Sequence, residues 1–109
     1  MKNVYIHIPF CKSKCKYCSF VSYPQAELKA EYLKALEKEI KFRYKGELLE
    51  TLYFGGGTPS LLTINEFKSL INLFNYNDKT EITAELNPET ISLNYLKNLK
   101  STGINRLSF

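Results

Sequence analysis

Four short runs with the length of a strand recur along this chain: NVYIHI (residues 3–8), TLYF (51–54), EITAEL (81–86) and NRLSF (105–109). The first is rich in β-branched and aromatic residues. Pro9, the turn Gly55-Gly56-Gly57-Thr58-Pro59 and the pair Asn87-Pro88 close the first three. The segments between them change to helical periodicity. Residues 26–44 carry Leu28, Tyr32, Leu36, Ile40 and Tyr44 at four-residue spacing with Leu33 beside them, and Gly46 follows as a stop. Thr63-Ile64-Asn65-Glu66 is a capping box opening a second helix, with Ile64, Phe67, Leu70, Ile71 and Phe74 directed inward. Ser92 caps a third helix that carries Leu93, Tyr95, Leu96 and Leu99 and is ended by Gly103. Strand and helix alternate throughout, which predicts an α/β fold: a parallel sheet with right-handed crossovers and outer helices. The fourth strand leaves an open edge, so the chain reads as the truncated, amino-terminal portion of a larger barrel.

Composition narrows the class. Of 109 residues, 44% are apolar and 24% charged, too hydrophobic for disorder, and no apolar stretch is long enough for a membrane span. The net charge of +4 comes from lysines spread along the chain, which predicts a solvated surface and no nucleic-acid partner. The first ten residues, MKNVYIHIPF, are interrupted by His7 and Pro9 and lack a small-residue cleavage site, so no secretory signal is expected. Three cysteines cannot all pair internally, and their clustering fits reduced thiols in the cytoplasm.

In parallel sheets of this kind ligands sit at the carboxyl ends of the strands. Three unusual stretches fall there. Cys11, Cys15 and Cys18 follow the first strand, the glycine run follows the second, and Glu85-Leu86-Asn87-Pro88 ends the third. The spacing C-x3-C-x2-C puts three thiolates on one loop, a donor set suited to an iron–sulfur cluster or zinc. A structural zinc needs a fourth protein ligand. His7 is a candidate of uncertain reach, and a packed or hydrogen-bonded strand histidine is the favoured reading. A four-iron cluster on three cysteines keeps one iron open to a small molecule. Lys12, Lys14 and Lys16 either offset the charge of the thiolates or keep the loop solvated. The glycine run lets main chain approach a ligand where a Cβ would obstruct, although turns use the same residues. Glu85 shares a strand face with Thr83 and Glu81, and at the rim its carboxylate can accept hydrogen bonds from an amine or from hydroxyls. Arg106, at the start of the last strand, either reaches a cofactor or pairs with a carboxylate.

In Cys15-Lys16-Tyr17-Cys18 an aromatic residue stands before the last cysteine. This pattern resembles the signature of the radical S-adenosylmethionine superfamily. Tyr5-Ile6-His7-Ile8-Pro9-Phe10-Cys11, Gly55 through Leu61, Glu81 through Pro88, and Gly103 through Ser108 extend the resemblance, in order, over essentially the whole chain. They are similar to the group holding the heme chaperone HemW and oxygen-independent coproporphyrinogen III oxidase. The resemblance implies that residues 1–109 are the amino-terminal portion of a radical SAM core domain, a partial (β/α) barrel. It implies a [4Fe-4S] cluster on Cys11, Cys15 and Cys18, and S-adenosylmethionine chelating the open iron. Electron transfer from the cluster would then release a 5′-deoxyadenosyl radical. By the same resemblance Tyr5 and Tyr17 lie against the cofactor or cluster, although core packing is an equal reading for either ring. The resemblance also implies that Gly56, Gly57, Thr58 and Glu85 contact S-adenosylmethionine.

Within the group, the oxidase branch places a further cysteine two residues after the third, where this chain has Phe20 in Cys18-Ser19-Phe20. The run Cys15 to Ser22 is closer to the chaperone branch. The implied function is therefore HemW-like: binding heme, at a site these residues do not locate, and delivering it to heme-accepting target proteins. An electron donor for the cluster is a further implied partner. Whether this branch turns over a substrate stays open. The cytoplasm is the expected location, with association at the inner face of the membrane left open. The alternatives are oxidative decarboxylation of coproporphyrinogen III and, from another class, a small zinc-binding interaction module.

Overall fold

The computed structural model describes residues 2–10, 25–57, 62–88 and 91–109, with the main chain alone for residues 25–27. The elements follow in the order β1 (Lys2–Ile8), α1 (Gln25–Arg43), β2 (Leu49–Gly56), α2 (Ile64–Ile71), β3 (Glu81–Glu85), α3 (Leu93–Leu99) and β4 (Arg106–Ser108), with a 3-10 turn, Lys100–Thr102, after α3. The strands stand side by side in that order, and every pairing is parallel. The expected α/β alternation is thus present. A strand order that never reverses puts right-handed crossovers on one side of the sheet.

Alternation along each strand makes the two faces different. Ile6 and Ile8 on β1, Leu52 and Phe54 on β2, and Ile82 and Ala84 on β3 are buried in a single apolar core. Phe54 meets Phe67 of α2 edge to face, with centroids 5.2 Å apart and planes at 86°. Burying side chains of this size contributes about 1.5–3 kcal/mol each. α1 packs through Ile40 and the half-buried Leu28, Tyr32, Leu33 and Leu36, and α3 through Leu99, Tyr95 and Leu96. The capping box forms as expected: Thr63 Oγ1 accepts from the Glu66 N–H, and the Glu66 carboxylate accepts from the Thr63 N–H. Lys29 of α1 also pairs with Glu66, at 3.0 Å.

The helices are shorter than their apolar stripes. Tyr44 lies just past α1 and Phe74 past α2, yet the two rings meet at 4.9 Å. The Tyr44 hydroxyl donates to the Glu47 carbonyl and accepts from the Asn75 N–H. Leu93 is 70% exposed. It is the first residue of a seven-residue helix, held at its start by the Ser92 hydroxyl accepting from the Tyr95 N–H, so it sits outside the buried stripe. Asn105 has a role that its strand-edge position did not reveal. Its side-chain amide accepts from the Ile82 N–H at 2.9 Å and donates to the Thr80 carbonyl at 2.8 Å, stitching the start of β4 to β3. Among the described residues no helix is long and apolar enough to cross a membrane.

Candidate functional site

The other face of the sheet is polar. Register places Tyr5 opposite Tyr53, Tyr53 opposite Thr83, and Thr83 opposite Arg106. One step nearer the carboxyl ends, His7 is opposite Gly55 and Glu85 opposite Ser108. At the amino ends this face is closed by local pairs: Thr51 Oγ1 donates to Asn3 Oδ1 at 2.8 Å, and Arg106 donates to Glu81 at 2.8 Å. Arg106 therefore takes the carboxylate partner, an exposed ion pair worth little to stability.

At the carboxyl ends, Glu85 becomes the centre of the arrangement. The Tyr53 hydroxyl donates to its Oε2 at 2.6 Å, and the Gly56 N–H donates to its Oε1 at 3.1 Å. Both donors come from β2, so the carboxylate bridges two strands. The hydrogen bond to Glu85, then desolvation and the carboxylate's charge, raise the Tyr53 phenol above the ordinary tyrosine range, while a hydrogen bond with Ser108 acts the other way. Tyr53 thus stays a donor at neutral pH. Tyr5 stacks on it, with centroids 5.7 Å apart and planes at 14°, and remains 58% exposed.

The glycines are required by the protein's own atoms. A Cβ on Gly55 would lie 2.6 Å from the Tyr5 hydroxyl and 2.9 Å from Glu85 Oε1. Gly56 has φ +110° and would meet the His7 ring at 2.7 Å. Gly57 would meet the Phe10 carbonyl oxygen at 2.5 Å, and its N–H donates to the Ile8 carbonyl at 2.7 Å. The turn after β2 is therefore locked against the end of β1, where the cysteine segment begins. α1 is tied to the same place, because the Tyr32 hydroxyl donates to the His7 carbonyl and its ring meets Phe10 edge to face at 5.4 Å.

Tyr5, Gly56, Gly57 and Glu85 are accordingly brought together at one end of the sheet. Cys11, Cys15, Cys18, Tyr17 and Thr58 lie outside the described residues. His7 is an exposed strand residue beside this cluster, tilted against Tyr5 at 6.2 Å. Sequence reasoning missed Tyr53. The signal for it was period two: it sits three residues before the end of β2, on the face Glu85 uses.

Chemically, the rim offers a carboxylate with spare acceptor capacity and an aromatic pair. The class so defined is a parallel α/β sheet with polar and aromatic side chains gathered at the carboxyl ends of its strands. The Radical SAM superfamily description matches residues 5–109, and the chain belongs to that superfamily. It is 42% identical to the heme chaperone HemW of Bacillus subtilis (strain 168), covering 100% of this chain and 31% of that protein. It is 36% identical to oxygen-independent coproporphyrinogen III oxidase of Escherichia coli (strain K12), covering 97% of this chain and 25% of that one. Among solved structures it matches coproporphyrinogen III oxidase (HemN) from Escherichia coli, a radical SAM enzyme, with TM-score 0.82 and 36% identity over 96% of this chain and 26% of the other. The chain spans about a quarter to a third of the length of these relatives.

Proposed function

We propose that this chain is the S-adenosylmethionine- and cluster-binding portion of a HemW-type heme chaperone that works in the cytoplasm and delivers heme to target proteins. In this reading residues 1–109 are the amino-terminal portion of its radical SAM core domain. The carrying observation is the Glu85 carboxylate, fixed at the strand ends by Tyr53 and Gly56. An ionised carboxylate has about four lone-pair directions, so two remain for a ligand. That leaves acceptors for an ammonium group or ribose hydroxyls, and exposed Tyr5 adds a ring face beside them. Tyr5, Tyr17, Gly56, Gly57, Thr58 and Glu85 would hold S-adenosylmethionine, and Cys11, Cys15 and Cys18 the [4Fe-4S] cluster. Three thiolates suit such a cluster with one iron left free. Bound together, the two would supply one-electron radical chemistry. The residues' own tasks are to bind, orient and exclude side reactions.

The chaperone branch is supported by Phe20 in Cys18-Ser19-Phe20, where the oxidase branch has a further cysteine, and by the similarity to HemW. The second reading, decarboxylation of coproporphyrinogen III, is favoured by the structural match to the oxidase. The test uses the complete protein, reconstituted without oxygen. Iron and sulfide counts with an absorption spectrum, repeated with S-adenosylmethionine, check the cofactor site. Heme titration and a porphyrinogen turnover assay then separate the branches. Stable heme binding without vinyl-product formation is expected; rapid product formation would replace the chaperone reading with the oxidase one.

A further inference from the structure

Among the polar contacts at the rim, one joins two side chains across neighbouring strands where neither residue belongs to the cysteine loop or the glycine turn: Tyr53 to Glu85, at 2.6 Å. We infer that Tyr53 is a positioning residue for the S-adenosylmethionine site, its hydroxyl holding the Glu85 carboxylate in one orientation so that the remaining lone pairs serve the ligand. This rests on the role given to Glu85 under Proposed function.

The geometry supports it in three ways. A glutamate side chain has much rotamer freedom to lose on binding, and restraining it beforehand removes that cost. The Gly56 N–H alone grips one oxygen, at 3.1 Å, and leaves the carboxylate free to swing about it; Tyr53 grips the other. Tyr53 is itself restrained by its stack on Tyr5, its partner in register. The chain of contacts Tyr5–Tyr53–Glu85 therefore spans β1, β2 and β3. A tyrosine that served only to pack against Tyr5 would need its ring and not its hydroxyl.

Tyr53→Phe keeps the ring and removes the donor. S-adenosylmethionine dissociation constants are measured anaerobically for the reconstituted wild type, Tyr53→Phe, Glu85→Gln and the double variant. Tyr53→Phe is expected to weaken binding about tenfold, the scale of one hydrogen bond to a charged group. The double variant is expected to bind no more weakly than Glu85→Gln, because Tyr53 acts through Glu85. Iron and sulfide contents should match in all four. Wild-type affinity in Tyr53→Phe, or losses that multiply in the double variant, would overturn the inference. Absence of binding in the wild type itself would instead overturn the role of Glu85. A ligand-free measurement keeps the question open to refutation even when Tyr53→Phe fails to fold. In 13C-tyrosine NMR the Tyr53 phenol should titrate above the ordinary range and move down in Glu85→Gln; an unmoved titration would count against it.

Discussion

The main-chain N–H of Gly57 donates to the carbonyl of Ile8 over 2.7 Å, joining the turn after β2 to the last residue of β1. Two segments some fifty residues apart in sequence thereby share one position at the strand ends. The sheet register leads up to this bond, since Ile8 stands opposite Gly56.

Gly57→Ala tests that join. Its Cβ would sit 2.5 Å from the Phe10 carbonyl oxygen, and main chain cannot swing aside as a side chain does. Gly46→Ala is the control: φ is +89° but nothing lies within 4 Å of the new atom. Gly46→Ala should cost about 1–2 kcal/mol of backbone strain. Gly57→Ala should cost more and should also lower iron incorporation. Denaturant unfolding and iron counts check both, and a Gly57→Ala protein as stable as Gly46→Ala would refute the account.

Gly55→Ala should behave differently. The atoms its Cβ meets belong to two side chains, the hydroxyl and ring edge of the exposed Tyr5 and Glu85 Oε1, which can move. Near-normal stability is expected, with S-adenosylmethionine binding weakened several-fold, as estimated from displacing one charge-assisted hydrogen bond. Calorimetric unfolding and equilibrium dialysis give the two readings.

Cys15→Ala and Glu85→Ala separate the cluster from the ligand site. The first should abolish the visible absorption of the cluster. The second should leave iron and sulfide unchanged and weaken S-adenosylmethionine binding about tenfold or more. Unchanged binding in Glu85→Ala would remove that residue from the site.

Stability at high pH should depend on Tyr95. Its hydroxyl donates to the Leu62 carbonyl at 2.6 Å, and burial, aided by the charge of Glu66, raises the phenol above its ordinary value of 10.0. Above pH ~10 the unfolded chain releases this proton while the folded one keeps it, so the unfolded state binds fewer protons and stability falls as pH rises. The contribution is fully present below that value. Tyr32, raised by burial and by Glu39, acts in the same direction. Tyr95→Phe should lower stability by about 1 kcal/mol at pH 8 and show a shallower decline between pH 10 and 11. An identical decline would exclude Tyr95 as a source.

Strands and helices were legible because their signals are local: short runs stopped by Pro9 and Asn87-Pro88, caps at Thr63 and Ser92, and the stop at Gly103, which adopts φ +105°. Helix ends were less so, since Tyr44 and Phe74 continue the apolar stripe after the helices have stopped and still find the core. Glu85 could be read from its chemistry at a strand end. Tyr53 could not, because its meaning depends on register across β1, β2 and β3, a long-range property. The glycines were read as space for a ligand; the space at Gly55, Gly56 and Gly57 is filled by Tyr5, Glu85, His7 and Phe10. Cys11, Cys15, Cys18, Tyr17 and Thr58 fall outside the described residues, so their reading rests on spacing and on family membership.

Among the described residues, the helices cover one side of the sheet and none packs on the other. That division separates two kinds of evolutionary freedom. Exchanges among Ile6, Leu52 or Ile82 endanger the scaffold, whereas exposed positions of the other side, such as Tyr5, can be exchanged with little thermodynamic penalty. One barrel wall can therefore carry a courier in one lineage and a catalyst in another.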